Sequence, residues 1–248
     1  MKIEEKLKNK YLYSKKKNLP KFIYFFFQFL KSKLKPRILY SNWGIDLTIK
    51  DILKNKKKGI YIDVGCHHPL INNNTHILYQ NGWKGINVDL DFNSVDMFNY
   101  FRPKDHNIQA ALSNKSGSAN LYFFHNRAAK NTISKLRGKG AKKIKKIKIE
   151  TLNSIIANCK FKIKEIDFLS IDVEGHELNV LKGLNFNIYR PKIISIEYIK
   201  PNIKEFYHHN IKDILKSDIY NFMIIKKYKL INWIHDDLIF ISKSSSKL

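Results

Sequence analysis

Strand-like and helix-like segments alternate from residue 59 to residue 242, which predicts an α/β fold: a doubly wound, mostly parallel sheet with helices on both faces. Two further observations point the same way. Runs such as YIDV, FLSI and KIISIEY are apolar almost throughout, as strands covered on both faces must be. Several of them stop at acids or glycine, at the strand edge where open α/β sheets bind ligands.

The elements follow in order. Residues 1–36 form a basic extension ending at Pro36, residues 37–242 the main domain, and residues 243–248 a frayed tail. Within the extension, FIYFFFQFL (22–30) is too short to span a bilayer, which takes about 20 apolar residues. Lys15, Lys16, Lys17, Lys21, Lys31, Lys33 and Lys35 flank it. The segment suits an anionic membrane surface, or a helix whose aromatic face packs on the main domain. Residues 46–55 carry apolar side chains at helical spacing and end at Lys56–Gly59 by sequence. GIYIDVG (59–65) reads as a strand, 75–82 as a short helix closed by Gly82, and GINVDLD (85–91) as a second strand. Residues 94–101 are helical and stop before Pro103, 107–113 form a third strand, and 116–125 an edge strand or hairpin. IKKIKIETL (144–152) alternates like a strand whose lysines face water, and 152–159 is a helix. FLSID (168–172) is a strand, 177–184 a helix, 192–198 a buried strand, 213–228 a helix with a turn, and 237–242 the strand that closes the sheet. The polar, basic stretch 126–146 reads as a mobile substrate-side loop or a solvated insertion.

Composition narrows the function classes. With 44% hydrophobic and 13% aromatic residues over 248 positions, the chain folds and buries a sizeable core. The net charge of +25 invites a nucleic-acid or anionic-membrane partner. Yet the only arginines are Arg37, Arg102, Arg127, Arg137 and Arg190, and base and phosphate readers favour the bidentate arginine fork. A coding bias towards lysine, asparagine and isoleucine accounts for the charge, so no specific nucleic-acid partner is expected. Cys66 and Cys159 share no metal-like spacing, and a reducing cytoplasm is the expected setting.

The chemistry concentrates at strand ends. In YIDVGCHHP (61–69), Gly65 lets backbone approach a ligand, while Cys66, His67, His68 and Pro69 stand where a dinucleotide fingerprint would need more glycines. Asp89 ends the second strand and is placed to accept two ribose hydroxyls. Asp63, Gly65 and Asp89 together suit a nucleoside cofactor without phosphates, such as S-adenosylmethionine. In FLSIDVEGHE (168–177), Asp172 should face the cleft, Glu174 lies in the turn, and Glu177 faces the next helix N-terminus in a structural role. Asp172 and Glu174 are placed to orient a hydroxyl and take its proton. A divalent cation held with His67 or His176 is the less favoured use, since no ligand spacing is diagnostic.

Four stretches together resemble the FkbM family of S-adenosylmethionine-dependent methyltransferases. They are YSNWGIDL (40–47), YIDVGCHHPLINNNTHILYQNGWKGINVD (61–89), FRPKDHNIQAALSNKSG (101–117) and FLSIDVEGHELNVLKGLNF (168–186), and the likeness runs from about Tyr40 to Ser242. Asn42 and Ile45 depart from the family pattern, which has glutamine and glutamate there. The resemblance implies a Rossmann-like methyltransferase sheet and methyl transfer to an oxygen, commonly a sugar hydroxyl of a glycan or its precursor. It implies that Asp63, Gly65, Asp89, Gln109, Ala110 and Asp172 hold the cofactor. Asp172, then His67, is the expected base, with Glu174 beside the methyl and Glu197 and His68 towards the substrate.

Overall fold

The computed structural model describes residues 2–15, 18–34, 39–123, 132–133, 135, 138–198 and 210–245. Two helices, α1 (Lys2–Tyr13) and α2 (Asn18–Leu34), precede α3 (Ile45–Ile52). The body then runs β1 (Ile60–Val64), α4 (His76–Gln80), β2 (Lys84–Asp89), α5 (Phe92–Phe101), β3 (His106–Gln109), β4 (Ala111–Leu112), β5 (Gly117–Phe123) and β6 (Lys143–Glu150). It continues with α6 (Leu152–Ala157), β7 (Phe168–Ile171), α7 (Glu177–Lys182), β8 (Ile193–Glu197), α8 (Ile211–Leu215), α9 (Asp218–Ile225), β9 (Tyr228–Ile234) and β10 (Asp237–Ser242).

Seven strands form the main sheet in the order β3-β2-β1-β7-β8-β10-β9. The pairs from β3 to β8 are parallel; β10 and β9 join antiparallel. The expected doubly wound sheet is present, and period-2 alternation shows how both faces are covered. Ile62, Val64, Leu169, Ile171, Ile194, Ile196, Leu238 and Phe240 enter the core under α6, α7, α8 and α9. Their alternates Tyr61, Phe168, Ile193 and Ile239 enter a second core under α3 and α4.

One register row on that second face is polar. Asn107, Asn87, Asp63, Ser170 and Ser195 lie side by side across β3, β2, β1, β7 and β8. Most of their polar atoms find partners: Asn87 Nδ2 donates to Asn107 Oδ1 at 2.8 Å, Asn74 Nδ2 to Ser170 Oγ at 3.0 Å, and Ser195 Oγ to Asp237 at 3.0 Å, while the buried Asn87 Oδ1 has none among the described residues.

The structure corrects three sequence expectations. The strand at 237–242 does not close the sheet: β10 lies between β8 and β9, and β9 is the edge. The single strand at 107–113 is two strands in two sheets: β3 extends the main sheet, and β4 pairs with β6 in a three-stranded sheet β4-β6-β5. The chain changes sheets at Ala110, whose N–H still reaches the Asp89 carbonyl at 3.0 Å. The helix with a turn at 213–228 resolves into α8 and α9, each begun by a side-chain cap from Asn210 and Ser217. Residues 199–209, parts of the loop at 126–146 and the last three residues of the tail lie outside the described residues; the end of that loop, from Lys143, already belongs to β6, and Lys243–Ser245 of the tail form a 3-10 turn.

The N-terminal extension packs on the domain through one face. Tyr11, Tyr24 and Phe25 are buried with Met97 of α5, and Lys21 pairs with Asp96 at 2.8 Å. No helix among the described residues is long and apolar enough to cross a membrane.

Candidate functional site: a cleft at the strand switch point

The strand order reverses between β1 and β7, which opens a crevice at their C-terminal ends. A cavity of about 240 Å³ lies there, lined by Val64, Gly65, Asp89, Leu90, Ala110 and Asp172, among others. Its roof comes from the N-terminal extension: Glu4 and Lys8 of α1, and Tyr24 and Gln28 of α2. Gln28 is buried in the FIYFFFQFL run and donates to Glu4 at 3.0 Å, and Lys31 holds the same carboxylate at 2.8 Å. These roof residues were not among the sequence candidates. The lone glutamine within an aromatic run was the available signal.

Gly65 follows β1 and packs against the backbone of Asp172, which follows β7. Its φ is +79°, and a Cβ there would lie 1.7 Å from the Asp172 carbonyl oxygen. Only glycine fits this left-handed, crowded position. Its N–H donates to the Val88 carbonyl at 2.8 Å, tying the turn to β2. Asp89 then closes the floor. Its carboxylate accepts from the backbone N–H groups of His67 and Asp91, both at 2.8 Å. Burial holds the Asp89 carboxyl above the usual carboxylate range, an effect that those amides together with His67 only partly offset.

Asp63 stands apart from the cavity. Its buried carboxylate turns to Thr75 Oγ1 at 2.8 Å and Asn73 Nδ2 at 3.0 Å. Arg102, fully buried, donates to the same Thr75 and Asn73 at 2.9 and 2.7 Å and also to the Pro69 carbonyl. Burial pushes the Asp63 carboxyl up, offset by Thr75, Arg102 and Asn73. This network pins the loop from Cys66 to Thr75, so Asp63 shapes the cleft from behind rather than lining it. Gln109 is likewise displaced: its side chain donates to the Leu90 carbonyl at 3.1 Å and faces a neighbouring groove. Ala110, one residue on, does line the cavity.

The two histidines after Gly65 differ. His67 is exposed, with φ 51°, and lines the cavity. His68 also borders the cavity but is buried; its Nδ1 accepts from the N–H groups of Leu70 and Ile71 at 3.0 and 3.1 Å. That fixes the tautomer with the proton on Nε2, a buried donor without a hydrogen-bond partner. Burial lowers the His68 pKa to about 3, so it is neutral at physiological pH.

On the opposite wall, Asp172 and Glu174 follow β7. Glu174 and Gly175 both have positive φ, 58° and 91°, and Glu177 holds the turn by accepting from the Val173 and Gly175 amides at 3.2 and 2.7 Å. Glu177 therefore has the structural role its position suggested. His176 is also structural in its contacts, with Nε2 3.0 Å from Ser113 Oγ. Carboxylate oxygens of Asp172, Glu174 and Glu197 all lie within 4.8 Å of one another. Glu197 does not line the cavity; it is buried at the end of β8 behind the other two. The departure at Ile45 has a packing explanation: Ile45 is a core residue of α3, and Asp46 organises the preceding turn through Tyr40 N–H at 2.8 Å and Ser41 Oγ at 2.7 Å.

No curated protein matches the sequence. Among solved structures the chain is similar to a TehB-like SAM-dependent methyltransferase from Corynebacterium glutamicum, with TM-score 0.41 and 11% identity over 88% of this chain and 96% of that one. The family model for the methyltransferase FkbM domain matches residues 63–222, well over half of the chain and from β1 into α9. The chain belongs to the FkbM family of S-adenosylmethionine-dependent methyltransferases.

Proposed function

We propose that the protein transfers a methyl group to an oxygen, on a sugar hydroxyl of a glycan or glycan precursor. S-adenosylmethionine, when bound, supplies an electrophilic methyl on a sulfonium. The residues present fit that cofactor: the cavity mixes apolar side chains with carboxylates and lies at the β1/β7 switch point. Asp89, at the end of β2, is placed to accept from ribose hydroxyls, and Ala110 leaves room for a flat ring beside β2.

The observation that carries the acceptor chemistry is the convergence of Asp172, Glu174 and Glu197. A sugar hydroxyl is a poor nucleophile at neutral pH, and a carboxylate that accepts its proton as the bond forms helps the transfer. Asp172 is exposed at the cavity wall and is the first choice for this role; His67 faces the same space. Three carboxylates this close repel one another unless a proton, a cation or neighbouring donors offset the charge. The same cluster therefore supports a second reading, in which a divalent cation lowers the pKa of the hydroxyl.

The test uses methyl-labelled S-adenosylmethionine with polysaccharide, nucleotide-sugar and RNA acceptors, each with and without chelator. Label in the saccharide that is lost in Asp172→Asn supports the reading. Label in RNA alone would overturn it. Loss of activity with chelator, restored by added metal, selects the cation-assisted version.

A further inference from the structure

The two faces of α2 face different surroundings. Tyr24, Phe25 and Gln28 turn inward to α1, α5 and the cavity. Leu19, Phe22, Ile23, Phe26, Phe29 and Leu30 turn outward, at helical spacing and 39–68% exposed. Phe22 and Phe26 stack on each other at 5.9 Å. Six neighbouring large apolar side chains make a patch of the kind that marks an interaction surface.

Charge identifies the occupant. Lys6, Lys10, Lys15 and Lys33 are exposed on α1 and around α2, and Lys16, Lys17 and Lys35 adjoin them in sequence. Glu4 is engaged by Gln28 and Lys31. A second copy of the chain seated on this face would bring like charges together, whereas an anionic bilayer meets both the aromatic stripe and its lysine border. A basic amphipathic helix of this build lies in the interface plane, with its apolar side about 5–10 Å into the headgroup boundary. We propose that α2 docks the enzyme on an anionic lipid bilayer through the Leu19–Phe22–Ile23–Phe26–Phe29–Leu30 face.

The inner face of the same helix roofs the cavity, so docking holds the cofactor cleft within about one helix diameter, ~10–12 Å, of the headgroups. Combined with the reaction proposed above, this selects a saccharide carried on a lipid as the acceptor. That extension rests on the proposed reaction; the docking does not.

The experiment is co-sedimentation of the full chain with vesicles of phosphatidylcholine, with and without phosphatidylglycerol. The expected result is binding to the phosphatidylglycerol vesicles. Phe22→Ser/Phe26→Ser should weaken it at least tenfold, as should Lys6→Gln/Lys10→Gln/Lys15→Gln. Calorimetry should show S-adenosylmethionine affinity within twofold of the parent for both variants, because none of these side chains lines the cavity. The proposal is overturned if the parent chain does not sediment with phosphatidylglycerol vesicles, or if the Phe22→Ser/Phe26→Ser chain sediments equally well. Light scattering gives the rival outcome: a dimer that dissociates in the Phe22→Ser/Phe26→Ser variant assigns the face to a second copy instead.

Discussion

Arg102 is among the largest fully buried side chains of the described residues, and replacing it should damage the cleft without touching the cavity lining. Its guanidinium serves Thr75 Oγ1, Asn73 Oδ1 and the Pro69 carbonyl, and lies over the rings of Tyr79 and Phe98. Arg102→Met takes the donor from the buried Pro69 carbonyl, at about 1–3 kcal/mol before relaxation, and one donor each from Thr75 Oγ1 and Asn73 Oδ1, which keep the bonds Thr75 makes to Asp63 and Asn73. It also removes the positive charge that offsets Asp63, which is buried behind the same loop. Breaking a buried charge network in this way costs about 3–5 kcal/mol, a large part of the ~5–15 kcal/mol that holds a domain together. The measurement is urea unfolding followed by tryptophan fluorescence. Asp63→Asn should be damaging in the parent but much milder in the Arg102→Met background, where it removes the stranded charge. The double-mutant cycle should give a coupling of about 1–2 kcal/mol. If Arg102→Met fails to fold, Arg102→Lys, which keeps the charge and loses the fork, replaces it in the cycle. A loss below about 1 kcal/mol, or additivity within about 0.5 kcal/mol, refutes the idea that Arg102 and Asp63 work as one unit.

Three other substitutions probe separate parts of the site. Gly65→Ala places a methyl 1.7 Å from the Asp172 carbonyl at φ +79°, and should cost about 2–4 kcal/mol and weaken S-adenosylmethionine binding; unchanged thermal stability would contradict the close approach. Asp89→Asn should weaken S-adenosylmethionine binding about tenfold by calorimetry, since a hydrogen bond to a charged group is worth about 1.5–3 kcal/mol; equal affinity would remove Asp89 from the ribose role. His76 is buried, and its pKa is lowered to about 3 by burial and then by Arg102. Below pH 6.5 the unfolded chain takes up a proton that the folded His76 refuses, so stability falls with acidification from about 6.5 towards 3. At pH 5 that share is about 2 kcal/mol, and His76→Gln should lose it. Parallel pH profiles of the two chains in urea would rule this out.

The architecture was legible because its signals are local. Apolar runs such as IYIDV and FLSI can only be strands covered twice, and Gly65, Asp89 and Asp172 mark strand ends by their position alone. What was not legible depends on contacts distant in sequence. Asp63 sits two residues before Gly65 and looks like a cofactor ligand, but the alternation of β1 points it away from the cavity and at Asn73 and Thr75. Arg102 lies far from the β1 loop in sequence, and no spacing rule joins them. Gln109 and Ala110 differ by one residue at a point where the chain changes sheets, and that switch decides which of them reaches the cavity. The roof of Tyr24 and Gln28 required knowing which face of α2 turns inward.

The polar row across the main sheet bears on how the chain finds its alignment. Strands that are apolar on both faces carry a weak register signal, because a one-residue slip exchanges one greasy face for another. Asn87, Asp63, Ser170 and Ser195 remove that degeneracy. A slip at any strand would set an amide, a hydroxyl or a carboxylate against aliphatic neighbours, with its partner left behind. Parallel sheets assemble slowly from distant segments, so misaligned pairings have time to form. The row acts as a keyed edge that makes such pairings dissolve, and it brings Gly65 and Asp172 level with each other before any ligand arrives.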